Sequence, residues 1–259
     1  MSNPILWFIT FCAGLCIGSF LNVCISRMPE GISIVSPGSR CPSCGHSIRF
    51  YDNIPILSYL LIGARCRNCK TAISIRYPAV ELLTGAMALL ILLKYGPGLS
   101  AVIYFLFIAS LIVVTFIDID YRIIPDKISL AGIAAGLAAS FLIPQITFTE
   151  SLIGAISGGG SLYAVAMAYY LFTGKEGMGG GDIKLLAMIG AFTGWQGVIF
   201  TIFAASATGT VIGLVLMAAA GRNMKFAVPF GPFLSLGAIV YLFFGQAIIQ
   251  WYLFGIQPY

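Results

Sequence analysis

The chain has 259 residues, of which 59% are hydrophobic and only 9% charged, with a formal net charge of +5 and a mean hydropathy of +0.98. A soluble domain of this length has too little interior to hide so much apolar surface. The composition therefore excludes a water-soluble globular protein, makes lipid the solvent, and predicts an all-α polytopic membrane protein.

Taken in chain order, the first segment runs from Pro4 to Cys24. It is too long for a cleaved signal and lacks a basic leading region and a small-residue cleavage site, so it reads as a retained span. Stretches of about 17–25 apolar residues cross a bilayer. Eight segments are candidates, 4–25, 79–93, 99–117, 127–143, 151–172, 183–195, 198–220 and 228–253, of which the second and sixth are short. Several carry small residues four apart, at Gly14/Gly18, Gly132/Gly136, Gly154/Gly158 and Gly190/Gly194. That spacing lets helix backbones approach closely in lipid.

The long polar segment between the first two spans carries Cys41-Pro42-Ser43-Cys44 and Cys66-Arg67-Asn68-Cys69, with 21 residues between the pairs. Two such knuckles are the spacing of a tetrahedral zinc site. His46 follows the first knuckle, but four cysteines already complete a structural site. The domain boundaries expected are a first membrane helix over 1–26, a cytoplasmic zinc-binding domain over 27–78, and a polytopic membrane domain over 79–259.

Basic residues set the orientation. Of the 14 lysines and arginines, 13 lie in or at the edges of the loops that connect the first to second, third to fourth, fifth to sixth and seventh to eighth spans, with Arg222 and Lys225 in the last of these, and only Lys94 falls on the other side. By the positive-inside rule those loops are cytoplasmic and both termini are outside. The charge is explained by topology and, without an aromatic stacking platform, gives no reason to expect a nucleic-acid partner.

Acidic residues at the cytoplasmic ends of spans are the candidates for chemistry, because an ionisable group at the edge of lipid is costly to keep. Asp118 ends the third span. Asp120 is about 200° further around a continuing helix and faces elsewhere; it can meet a basic substrate or Arg122. Asp126 follows Pro125 ahead of an apolar run, the pattern of a helix N-cap. Asp182 closes the run Gly177-Met178-Gly179-Gly180-Gly181-Asp182, whose glycines let a backbone pass close by. The chain leaves through the fourth span and returns through the fifth, so Asp118 and Asp182 fall on the same face. Held close, two such carboxylates share a proton and can act as acid and base. They can equally be interfacial acids neutralised by Lys127 and Lys184, or a relay in an ion-coupled membrane transporter. Glu81, near the start of the second span, either favours a helix N-terminus or lines a site shared with the cysteine module.

An ordered set of motifs resembles the type IV prepilin peptidases, membrane aspartyl proteases of bacterial pilus and type II secretion systems. It comprises Gly18-Ser19-Phe20-Leu21-Asn22-Val23 with Arg27 and Pro29, the two cysteine pairs, Asp52-Asn53-Ile54-Pro55, Tyr77-Pro78 with Glu81, Asp118 followed by Ile124-Pro125-Asp126, and Gly179-Gly180-Gly181-Asp182-Ile183-Lys184. The resemblance implies that Asp118 and Asp182 are a catalytic pair in the bacterial inner membrane. It implies cleavage of a short basic leader from type IV prepilins or pseudopilins on the cytoplasmic side. Members that keep the cysteine loop also N-methylate the new amino terminus with S-adenosylmethionine, so both activities are expected. Gly179, Gly181, Asp120 and Glu81 are then candidates for substrate or structural support. A G-x-G-x-x-G element opening a helix after a strand is lacking, so the methyl-donor site is not expected to be of the common Rossmann type.

Overall fold

The computed structural model describes residues 3–175, 177–220 and 228–254, which leaves Arg222 and Lys225 outside the described residues. The architecture is helical, with α1 at Pro4–Arg27, a 3-10 turn at Phe50–Asn53, α2 at Leu57–Leu61, α3 at Arg76–Tyr95, α4 at Leu99–Tyr121, α5 at Asp126–Ala139, α6 at Phe148–Thr173, α7 at Gly180–Ala220 and α8 at Gly231–Phe254. Among the described residues, β pairing is confined to two isolated bridges, Arg40 with Ser47 and Arg65 with Ala72. Among the described residues, five helices, α1, α3, α4, α6 and α7, are long and apolar enough to cross a membrane. With 14 residues, α5 is only about 21 Å long, less than a typical hydrocarbon core.

Local sequence sets where these helices start and stop. Asn3 caps α1 by accepting from the N–H groups of Ile5 and Leu6, and Pro4 takes the first helical position, where no backbone donor is needed. Thr147 and Glu150 form a reciprocal capping box at the start of α6. Gly194 interrupts α7 at φ 72°, ψ 178°, a backbone region open essentially to glycine alone. The apolar stretches 183–195 and 198–220 therefore share α7 but lie on either side of this break.

The contacts fall into two compact units, Met1–Val113 and Val114–Tyr259. Within the first, α1 packs on α3. A Cβ on Gly14 would stand 2.8 Å from Ala88 Cβ, and one on Gly18 would stand 2.7 Å from Glu81 Cα. Within the second, α7 packs against α5, α6 and α8. A Cβ on either Gly154 or Gly190 would run into the other's carbonyl oxygen, while Gly136 faces Ala191. The buried Ser151 hydroxyl donates to the Ala191 carbonyl at 2.6 Å, a polar tie between α6 and α7.

Candidate functional site

Asp118 lies in the last turn of α4 and is only 6% exposed. Arg122 then turns the chain at φ 57°, donating its N–H to the Asp118 carbonyl at 3.0 Å. The glycine run ends in the first turn of α7, which holds Asp182 half-buried. Gly231, at the first position of α8, donates its N–H to Asp118 Oδ2 at 2.9 Å. A Cβ on Gly231 would stand 2.7 Å from that oxygen and 3.3 Å from Ile124 Cδ1, and a Cβ on Gly181 would stand 2.9 Å from Ile124 Cβ. The Ile124 side chain thus touches both the turn that precedes Asp182 and the turn that holds Asp118. The bare faces of Gly181 and Gly231 make that approach possible, and Gly179 lies beside the Asp182 carboxylate.

The neighbouring acids are used otherwise. Asp120 is exposed at the end of α4. Asp126 does not cap α5, contrary to the expectation from its position: Pro125 occupies the N-cap in extended geometry, which moves Asp126 into the first helical turn. Its carboxylate instead takes both oxygens to Lys184 Nζ, at 2.7 and 2.8 Å. Lys184 is therefore engaged by Asp126, which weakens the reading of Lys184 as the neutraliser of Asp118 or Asp182. Gly231 was not among the sequence candidates. The run Pro229-Phe230-Gly231-Pro232, turn residues at the mouth of an apolar helix, is the signal that marks it.

A second cluster lies in the first unit. The sulfurs of Cys41, Cys44, Cys66 and Cys69 all fall within 4.8 Å of one another, with Cys41 and Cys69 at 3.8 Å. Tetrahedral zinc with Zn–S near 2.3 Å requires S···S distances of about 3.8 Å, so the cluster fits that metal. The two knuckles are built alike. Cys41 N–H donates to the His46 carbonyl as Cys66 N–H does to Thr71, and Ile48 N–H donates to Ser39 as Ile73 N–H does to Ala64. Each second cysteine is followed by a left-handed residue, Gly45 or Lys70. His46 is exposed. Hydrogen bonds from the Thr71 hydroxyl and backbone hold the Cys69 thiol down at about 6, which makes it a thiolate at neutral pH, the form a metal binds. Between residues 28 and 75 only Cys41 and Ser58 are buried. The module thus has almost no hydrophobic core of its own, and a bound metal would supply folding energy in its place.

Glu81 belongs to this neighbourhood. Because α3 begins at Arg76, Glu81 lies beyond the first turn, where the helix terminus has little effect. It is buried and accepts the Ile56 N–H at 2.8 Å. Together with Asn22, Tyr77, Cys41 and Cys66 it lines a cavity of about 830 Å³.

Residues 12–95 match the family model described as Bacterial Peptidase A24 N-terminal domain, and residues 105–214 match the Type IV leader peptidase family. A protein of Aeromonas salmonicida (strain A449) named prepilin leader peptidase/N-methyltransferase is 36% identical, covering 96% of this chain and 95% of its own length. Proteins of the same name are 35% identical in Pseudomonas aeruginosa, over 97% of this chain and 95% of the relative, and 40% identical in Myxococcus xanthus (strain DK1622), over 85% of this chain and 66% of the relative. No solved structure matches. With relatives this similar along nearly the whole chain, the protein belongs to the type IV leader peptidase family.

Proposed function

We propose that this chain is a bifunctional membrane enzyme that cleaves the basic leader from type IV prepilins or pseudopilins and then N-methylates the exposed terminus. The observation that carries the peptidase half is that Ile124 packs against both Gly181, next to Asp182, and Gly231, whose N–H holds Asp118, so the acidic ends of two apolar helices meet one side chain. The names of the relatives supply the pairing of the two reactions. An ion-coupled transporter using the same carboxylates is not favoured, because family and relatives alike are peptidases.

Two carboxylates in electrostatic contact hold one proton between them and titrate as a pair. The ionised member takes a proton from water as the water oxygen attacks the scissile carbonyl, which the protonated member polarises. Collapse of the adduct breaks the C–N bond, and a proton passes to the departing amine. Gly231 fixes one oxygen of the pair, Gly181 lets Ile124 pack beside it, and Gly179 leaves room next to the Asp182 carboxylate for an extended leader. Asp120, exposed at the end of α4, is the acid this reading assigns to the leader's basic residues.

Cys41, Cys44, Cys66 and Cys69 would hold a structural zinc with no open coordination position. S-adenosylmethionine, when bound, supplies the methyl group for the new amine. A polar cavity of suitable size and a buried acceptor on its wall, Asn22 Oδ1, left without a partner, fit such a group. The organisation that follows is a first membrane helix over 1–26, a zinc module over 27–78 and a peptidase domain over 79–259. Eight spans in the bacterial inner membrane would place both termini outside and both sites at the cytoplasmic face.

Mass spectrometry of a co-expressed prepilin tests both halves, since leader loss and the added methyl appear as separate mass changes. Asp118→Asn and Asp182→Asn should each abolish cleavage while the protein still inserts. Normal cleavage by either variant would end the dyad reading.

A further inference from the structure

The large cavity of the first unit is separate from the carboxylate pair in residues and in composition. Its lining includes Asn22, Tyr59, Tyr77, Glu81, Arg40 and Arg76, so it offers acceptors, aromatic rings and cations together. At about 830 Å³ it is within the usual range of small-molecule sites, roughly 300–1,000 Å³.

Two features of its wall point to a ligand. Asn22 is 3% exposed, and its amide donates to the Gly18 carbonyl at 3.3 Å and the Tyr77 carbonyl at 3.0 Å. Those bonds fix the amide's orientation and commit both donors, yet its buried Oδ1 has no partner. A buried acceptor left unmet is costly and calls for a donor. Glu81 lies one helical turn beyond Tyr77 on α3. Its carboxylate receives the Ile56 N–H at 2.8 Å and a hydrogen bond involving Ser19, which leaves about half of its four lone-pair positions unused. Ile56 itself stands at φ 60°, ψ −51°, a conformation that is strained for a β-branched residue and is found chiefly where a site needs it.

An anionic group without donors would leave these acceptors unmet. A cationic group rich in donors, such as the ammonium of an amino acid, answers them. We infer that this cavity is the methyl-donor site, with Glu81 and Asn22 receiving the amino-acid ammonium of S-adenosylmethionine and Arg40 and Arg76 facing its carboxylate. Tyr59 and Tyr77 supply apolar faces for the adenine. The inference rests on the bifunctional reading and gives its second activity a location on α1 and α3.

The test uses the full chain in detergent micelles with tritiated S-adenosylmethionine in equilibrium dialysis. Glu81→Gln and Asn22→Leu should each weaken binding by about tenfold or more, the effect of losing one charge-assisted contact. The same variants should leave binding of 5′-methylthioadenosine, which has no amino-acid group, unchanged. Zinc content and unfolding temperature report whether each variant is folded. If a variant fails to fold, ultraviolet cross-linking of the donor to the wild-type chain decides: label on the Gly18–Arg27 or Arg76–Glu81 peptides supports the site, and label confined to other regions overturns it. Tight binding by both folded variants would also overturn it, while leaving the enzyme's two activities standing. Absence of any methyl on co-expressed, cleaved pilin would instead remove the methyltransferase reading on which the site depends.

Discussion

The backbone N–H of Gly231 holds Asp118 Oδ2 at 2.9 Å across 113 residues of sequence. A carboxylate in a proteolytic pair must be held in position as well as kept close to its partner, and a helix N-terminal N–H is a rigid donor for that purpose.

Gly231→Ala tests that relationship. Its new Cβ would lie 2.7 Å from the Asp118 oxygen, so the carboxylate has to move. Misplacement of a catalytic group by about 1 Å can cost on the order of 100-fold in rate. We expect kcat for leader cleavage to fall by that order, with little change in substrate KM. An unchanged kcat would mean that Asp118 is positioned by other groups.

The pair between Lys184 and Asp126 makes the opposite prediction. Both side chains are substantially exposed, at 38% and 55%, and exposed ion pairs typically contribute about 0–1 kcal/mol. Lys184→Met and Asp126→Asn should therefore shift thermal unfolding only slightly and retain most of the cleavage activity. Loss of cleavage comparable to that of Asp118→Asn would show that Lys184 acts on the catalytic carboxylates after all.

These contrasts also show what the sequence makes legible. Cysteine spacing specifies the sulfur cluster because four ligands around one metal leave little freedom, and the structure places all four within 4.8 Å. Asp118 and Asp182 stand out because an acid beside lipid demands an explanation, and the even number of apolar segments between them in the sequence leads to the expectation of like ends. Asp126 misleads because Pro125 can occupy the cap position itself, shifting the acid by one residue and redirecting it to Lys184. The local pattern around Glu81 leaves two roles open, because its Ile56 partner is brought in by the fold of the preceding loop. Gly231 lies outside the recognised motifs, and only tertiary packing reveals the oxygen it binds.

The cysteine cluster should hold one zinc per chain by elemental analysis. Cys41→Ser and Cys69→Ser should each lose it, and chelation should make residues 28–75 protease-sensitive, since that segment buries only Cys41 and Ser58. Acidification should release the metal, because protons compete for the thiolates. With its thiol at about 6, Cys69 remains deprotonated to lower pH than an ordinary cysteine. Metal retained by both serine variants would rule out the four-cysteine site.

Glycines along α6 and α7 divide by what surrounds them, which yields a paired prediction. Gly154 and Gly190 meet backbone to backbone, so a side chain on either strikes the other's carbonyl, whereas a Cβ on Gly160 meets nothing within 4 Å. Gly190→Val must push α6 and α7 apart and disturb the Ser151 bond to the Ala191 carbonyl beside it. Overpacking of this kind costs about 1–3 kcal/mol or more when the obstacle is backbone. Gly160→Ala instead lies in mid-helix, where alanine is favoured over glycine by roughly 0.5–1 kcal/mol. We expect Gly190→Val to lower the unfolding temperature in detergent and Gly160→Ala to leave it unchanged or raise it. Equal behaviour of the two would mean that close backbone approach does not hold these helices together. Because α7 also carries Asp182, a shifted α6–α7 contact should reduce cleavage even in the fraction of Gly190→Val that remains folded.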